Sequence, residues 1–204
     1  MTMDKSEAKR SEILDAAMLC LARYGANKTT LDDIAGLVGL NKATLYYYYQ
    51  NREAIFIDAL EREAQRFIDT VRQNFRKNAR ARDKMYVFLK TYLSYLQDRA
   101  EILELNARAM VDNQIFIRKI HGRMREKNSD LMREIVREGM DSGEFRNMNA
   151  ERVADSIRYI FDLRLLEFFT EYMESGHQHL DIKRLKNDAR YILEIFLHGI
   201  LKKE

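Results

Sequence analysis

The chain has 204 residues, of which 33% are charged and 46% hydrophobic, with no proline, eight glycines, one cysteine and a formal net charge of +3. So few turn-formers among so many charges favour an all-α protein with a substantial core in one or two domains, and a single cysteine excludes an intrachain disulfide or a thiolate metal site. A charge of +3 does not by itself indicate nucleic acid; no apolar run nears the roughly 20 residues of a membrane span, and the polar start Met1-Thr2-Met3-Asp4-Lys5 is unlike a signal peptide, so a cytoplasmic location is expected.

The first helix is predicted from about Ser6 to Tyr24, with Ile13, Ala17, Leu21 and Tyr24 on its buried side and Gly25 as its stop. Cys20 falls on that apolar side. It reads as a small buried hydrophobe, against the alternative of an exposed, low-pKa redox sensor. Lys5, Lys9 and Arg10 crowd the first turn, either as a solvated helix end or as phosphate contacts.

Thr29 to Arg52 then reads as two short helices over a tight turn, Leu31 to Val38 and Lys42 to Tyr48. Small Ala35 permits a close crossing, Gly39 permits the left-handed backbone, and Ile34, Val38, Leu40 and Leu45 point inward. Thr30 with Asp33 resembles a capping box, while Asn41 and Asn51 stand where the next two helices begin. Four consecutive tyrosines cannot face one way at about 100° per residue, so Tyr49 is expected inside and Tyr46, Tyr47 and Tyr48 outside. The candidate DNA contacts are Lys42, Ala43, Thr44, Tyr46, Tyr47 and Tyr48, with Lys42 and Thr44 reading bases and Thr30, Tyr48 and Arg52 holding phosphate. The alternative is an aromatic patch packed on the following helix. Up to Arg52 seven bases face six acids, so a DNA role depends on where the charges stand rather than on their sum.

Ile13-Leu14-Asp15-Ala16-Ala17, Tyr24-Gly25, Thr29-Thr30, Ile34-Ala35, Gly39, Thr44-Leu45-Tyr46-Tyr47 and Asn51-Arg52-Glu53 together resemble the DNA-binding domain of the tetracycline repressor (TetR) family. The likeness is strong over the first quarter of the chain and one of layout beyond it. Tyr48 and Tyr49 stand where the family usually shows His and Phe, and Arg52 where it shows Lys. Tyr48 keeps a phosphate-bonding hydroxyl, and Arg52 is a better bidentate donor than Lys. The resemblance implies a dimeric regulator with no cofactor whose apo form occupies a double-stranded operator and represses. A small molecule then shifts the C-terminal domain, the fourth helix tilts, and the heads leave their half-sites.

That fourth helix has no breaker between Asn51 and Asn78 and buries Phe56, Leu60, Phe67, Val71 and Phe75, giving a lever of roughly 40 Å between a head at 1–52 and an effector-binding and dimerisation domain at 53–204. Its basic end, Arg72 to Lys84, reads as a solvated junction. Five more helices are expected, about nine in all: Arg82 to Gln97, Ala100 to Met110, Gln114 to Met140, Ala150 to Glu174 and Ile182 to Lys202. The last two are apolar on more than one side, Ile160, Leu163 and Leu166 on one and Ile195 on the other among them, which implies burial against a second copy and a two-fold homodimer. A partly apolar effector is expected among Met85, Phe88, Leu89, Tyr92, Leu103, Met110, Phe116, Ile120, Met124, Phe161, Leu165 and Phe168, although helical spacing also describes ordinary core. Arg158 and Asp162 either orient that ligand or form an i, i+4 ion pair, and Asn106 and Arg108 are further polar candidates.

Two rival classes stay in view. A di-iron carboxylate bundle needs two Glu-x-x-His elements, and only Glu174-x-x-His177 occurs, with Gly176 inside it; His177-x-His179 lacks a third ligand, so no metal or catalytic residue is assigned. A helical adaptor that binds only protein would use the helix-turn-helix as scaffold, without salt-sensitive DNA binding.

Overall fold

The computed structural model describes residues 5–98, 115–176 and 181–202. Eight helices lie in them: α1 (Lys5–Lys28), α2 (Leu31–Leu37), α3 (Lys42–Tyr48), α4 (Arg52–Gln73), α5 (Ala81–Asp98), α6 (Ile115–Asp141), α7 (Ala150–Glu174) and α8 (Ile182–Ile200). The fold is all-α, and the extended pairing among the described residues is a single bridge between Phe145 and Leu201. The helix expected over Ala100 to Met110 lies outside the described residues. So do Leu103, Asn106, Arg108, Met110, His177 and His179, and the side chains of Phe116, Ile120 and Met124.

The chain divides into two compact units. In the described residues the first is 5–65 with 115–124, and the second is 66–98 with 125–176 and 181–202. The first forms because α1 offers a wide apolar stripe, Ile13, Ala17 and Cys20 being fully buried, on which Ile34 and Ala35 of α2, Leu45 of α3 and Ile55, Phe56 and Ala59 of α4 close a single core. Gly25, at φ 77° and ψ 164°, breaks α1 internally, so the last turn runs in a new direction. Tyr24, expected in the core, is instead 50% exposed: the kink at Gly25 turns it to the rim, and Cys20 and Thr29 fill that end.

In the second unit Phe67 and Val71 of α4 are buried, but α4 ends at Gln73 rather than near Asn78. The chain tightens there, Phe75 N–H donating to Arg72 and Ala79 N–H to Arg76, and Asn78 adopts a left-handed φ of 61° that a helix cannot continue. The helix is therefore 22 residues, about 33 Å, and the basic stretch that follows is a turn. Phe75 is half-buried, with the Lys84 ammonium 5.6 Å from its ring centroid.

The turn after α6 is the hub of this unit. Gly143 takes φ 74°, Phe145 N–H donates to Gly139 O at 2.8 Å, and the Phe145 ring is buried against Gly139. Arg146 N–H donates to Ile200 O, Lys202 N–H to Glu144 O, and the Glu144 carboxylate accepts the Ala81 N–H that opens α5 at 2.8 Å. Arg164 of α7 donates to Asp188 of α8 at 2.7 Å through a guanidinium that is nearly buried, which locks those two helices together.

A Cβ placed on Gly139 would fall inside the Phe145 ring, so Gly139→Ala is expected to destabilise the protein by roughly 1–3 kcal/mol. Gly36→Ala, on an exposed helical face where a Cβ meets nothing within 4 Å, is the control and should be neutral or stabilising in the same thermal melts.

Candidate nucleic-acid interface

Helices of seven residues do not persist on their own, so the ends of α2 and α3 carry much of their definition. Thr30 caps α2: its hydroxyl oxygen accepts the Asp33 N–H at 3.1 Å, and the Asp33 carboxylate accepts the Thr30 N–H at 2.7 Å, a complete capping box. The Thr30 hydroxyl also donates to that carboxylate, at 2.7 Å. These bonds, the hydroxyl first and then the backbone, hold the Asp33 carboxyl below its ordinary pKa. Asn41 caps α3, its side chain accepting from Thr44 N–H at 2.8 Å and the Thr44 hydroxyl at 2.9 Å, and Asn51 caps α4 by accepting the Ala54 N–H at 2.8 Å.

Between the helices Gly39 takes φ 66°, and Leu40 N–H donates to Ala35 O at 2.9 Å, closing the turn. Leu45 and Tyr49 then face the core, while Tyr46 is 50% and Tyr47 82% exposed. Tyr48 is half-buried and meets Tyr47 edge-on at 5.3 Å. The aromatic run divides with Tyr49 inside and Tyr46 and Tyr47 outside, while Tyr48, expected outside, packs partly against the core. Lys42 and Ala43 are exposed at the start of α3, and Lys42 Nζ lies 3.0 Å from Asp32 Oδ2.

The expected contacts therefore come from three elements: Thr30 at the start of α2, Lys42, Ala43, Thr44, Tyr46, Tyr47 and Tyr48 on α3, and Arg52 at the start of α4. Arg52 already has work inside the head. Its Nη1 donates to Thr29 O at 2.6 Å and lies 3.4 Å from Asn27 O, while the buried Thr29 hydroxyl donates to Gly25 O at 2.8 Å. Of the cations on the first turns, Lys9 pairs with Glu12 at 2.5 Å and the Arg10 guanidinium stands 5.2 Å from the Tyr49 ring centroid. Only Lys5 of the three is left as a plain exposed charge among the described contacts.

One further arrangement was not readable from spacing. Arg62, on α4, donates to Ser11 O and Ser11 Oγ at 3.0 Å and to Asp15 at 2.5 Å, so α4 is pinned to α1 as well as to Thr29. Residues 47 to 51 apart carry no local pattern that would announce such a contact. Cys20 is fully buried and desolvation raises its thiol pKa, which makes it an inert core residue rather than a sensor.

The effector candidates whose side chains are described all belong to the second unit, whereas Phe116, Ile120 and Met124 stand on the part of α6 that falls in the first. Met85, Leu89, Leu165 and Phe168 are buried, and Phe161 is half-buried. Phe88 and Tyr92 are half-buried beside Phe67, at 5.6 and 5.9 Å between centroids, with Tyr95 at 5.7 Å. Arg158 and Asp162 form the i, i+4 pair, at 3.0 Å. Among the described residues no group of three or more His, Cys, Asp or Glu could hold a metal ion, and no helix is long and apolar enough to cross a membrane.

A capped pair of short helices around a left-handed glycine, with the second helix turned outward on a shared core, defines a helix-turn-helix DNA-binding regulator. Residues 13–59 match the tetR family of bacterial regulatory proteins, and residues 60–198 match the C-terminal region of YsiA-like proteins. The chain belongs to the TetR family of transcriptional regulators. It is 23% identical over 208 residues to the fatty acid metabolism regulator protein of Bacillus subtilis, spanning 98% of this chain and 100% of that one. It is 29% identical over 128 residues, 63% of this chain and 68% of the relative, to the biofilm operon negative transcriptional regulator IcaR of Staphylococcus epidermidis. Among solved structures, the regulator FadR of B. subtilis in complex with stearoyl-CoA aligns with TM-score 0.70 at 20% identity, over 93% of this chain and 98% of that one. The fatty acid degradation regulator FadR of Bacillus halodurans gives TM-score 0.70 at 18% identity over 98% of each.

Thr30→Ala should cost about 1 kcal/mol of stability at neutral pH. Because Asp33 is depressed in the folded state, its part of the cap is present above about pH 4 and is lost as pH falls through its lowered pKa. The gap between variant and wild-type melting temperatures should therefore narrow on acidification.

Proposed function

We propose that this regulator is a homodimeric repressor that grips its operator through α3 and releases it on binding a long-chain acyl thioester of coenzyme A. The observation that carries the DNA reading is the outward face of α3, where Lys42, Tyr46 and Tyr47 stand exposed on a helix fixed at both ends. Lys42 and Thr44 read base edges, while Thr30, Tyr48 and the remaining N–H groups of Arg52 hold phosphates.

The second copy joins through α7 and α8. Tyr159 and Tyr191 are 59% and 66% exposed, with Ile160, Leu163, Leu166 and Ile195 also open, while the opposite sides of the same helices, through Ile157, Leu165, Leu193 and Leu197, are buried within the unit. A helix with two apolar sides and one covered needs a partner for the other.

The effector class is drawn from two of those relatives, the fatty acid metabolism regulator and the FadR structure that holds stearoyl-CoA. The aromatic edge of Phe67, Phe88, Tyr92 and Tyr95 suits an alkyl chain, with Met85 and Leu89 behind it. Repression ends because effector and DNA favour different head spacings, and that coupling is reciprocal.

A duplex selected by the protein from a random pool should lose affinity steeply as salt rises, and Lys42→Ala should weaken it by about tenfold while altering the preferred bases. Stearoyl-CoA should release this duplex, and coenzyme A alone should not. Binding unaffected by any acyl-CoA chain length would overturn the effector class and leave the DNA reading standing.

A further inference from the structure

We infer that Asp32 is a specificity-determining residue of the head: by holding the Lys42 ammonium across the turn between α2 and α3, it withdraws that charge from sequence-independent phosphate binding. This rests on the reading of α3 as the DNA-facing helix. Lys42 is the one basic residue of α3, whose sequence is Lys-Ala-Thr-Leu-Tyr-Tyr-Tyr, and it stands at the helix start where base edges are read. Its Nζ lies 3.0 Å from Asp32 Oδ2, with both side chains about half exposed or more, so the pair sits on the open surface.

The two neighbouring acids of α2 have separate roles. Asp33 is consumed by the Thr30 cap, and Asp32 makes no part of it. Asp32 instead faces Lys42, ten residues away, and its nearness, with a smaller contribution from Tyr46 one turn along, keeps the ammonium firmly protonated.

Non-specific binding draws its free energy from counterion release, and each ammonium that neutralises a phosphate adds about 0.9 to the steepness of log affinity against log salt. A lysine already neutralised by a carboxylate adds nothing unless it leaves, and on leaving it strands the Asp32 charge beside a polyanion. An ammonium has three N–H groups, however. One can stay on Asp32 while the others reach acceptors on a base edge, so a correct sequence uses Lys42 with the bridge intact. In a head with a balance of only one positive charge up to Arg52, one withheld lysine is a large share of the electrostatic attraction.

The test uses the full chain as wild type, Asp32→Asn, Lys42→Ala and the double variant, with thermal melts confirming that each is folded. Binding is measured at several salt concentrations to the duplex that wild type selects from a random pool, and to a scrambled duplex of equal length and composition. Asp32→Asn should bind the scrambled duplex about 3- to 10-fold more tightly, with a slope steeper by about one, while affinity for the selected duplex changes less, so the specificity ratio falls. In the Lys42→Ala background the same substitution should leave slope and ratio unchanged. An unaltered slope and ratio in Asp32→Asn overturns the inference, as does an equal gain in the Lys42→Ala background, which would assign the effect to the bare acidic field. Wild type that binds no duplex in a salt-dependent way overturns the DNA-contact reading itself, and the inference with it.

Discussion

The recognition helix spans seven residues, and nothing within seven residues can hold a helix at a fixed angle in water. Its position depends on Leu45, fully buried among Ile13, Ala17, Ile34 and Phe56, and on Tyr49, which leaves the helix into the same core. The rest of the head follows from that dependence. α1 and the first turns of α4 are the walls that keep Leu45 in place, and Asn41 supplies an acceptor for the otherwise unpaired N–H groups of the first turn. In a head built this way any shift of its walls moves α3.

Arginines set how tightly those walls are joined. Arg52 and Arg62 both reach from α4 to backbone carbonyls, at Thr29 and Ser11, and Arg62 adds the Asp15 carboxylate. A planar fork suits such multiple acceptors better than a lysine ammonium does. Where the family usually has Lys, Arg52 fastens the start of α4 to the chain before α2. The surface charges of the head are likewise matched locally, Lys9 with Glu12 and Lys42 with Asp32, and this explains how a DNA-binding unit can carry so little net charge.

The second unit depends on contacts far apart in sequence. Glu144 and Phe145, in the turn after α6, touch the start of α5, the end of α6 and the chain after α8. Arg164 and Asp188 then tie α7 to α8, and the apolar residues that this pairing leaves outside are the ones assigned to a second copy.

The sequence by itself determined the helix-turn-helix, its caps at Thr30, Asn41 and Asn51, the inward turn of Tyr49 and the family, because all of these are written in spacings of three or four residues, where the period of a helix and the reach of a capping side chain decide the outcome. The apolar double face of the last two helices was legible for the same reason. Only the tertiary structure decided that Tyr24 lies at the rim and that α4 stops at Gln73. It alone brought Asp32 to Lys42, Arg52 to Thr29 and Arg62 to Asp15. Those pairings join side chains 10 to 47 residues apart on different elements, and their distances are set by how the helices cross, which no local pattern encodes.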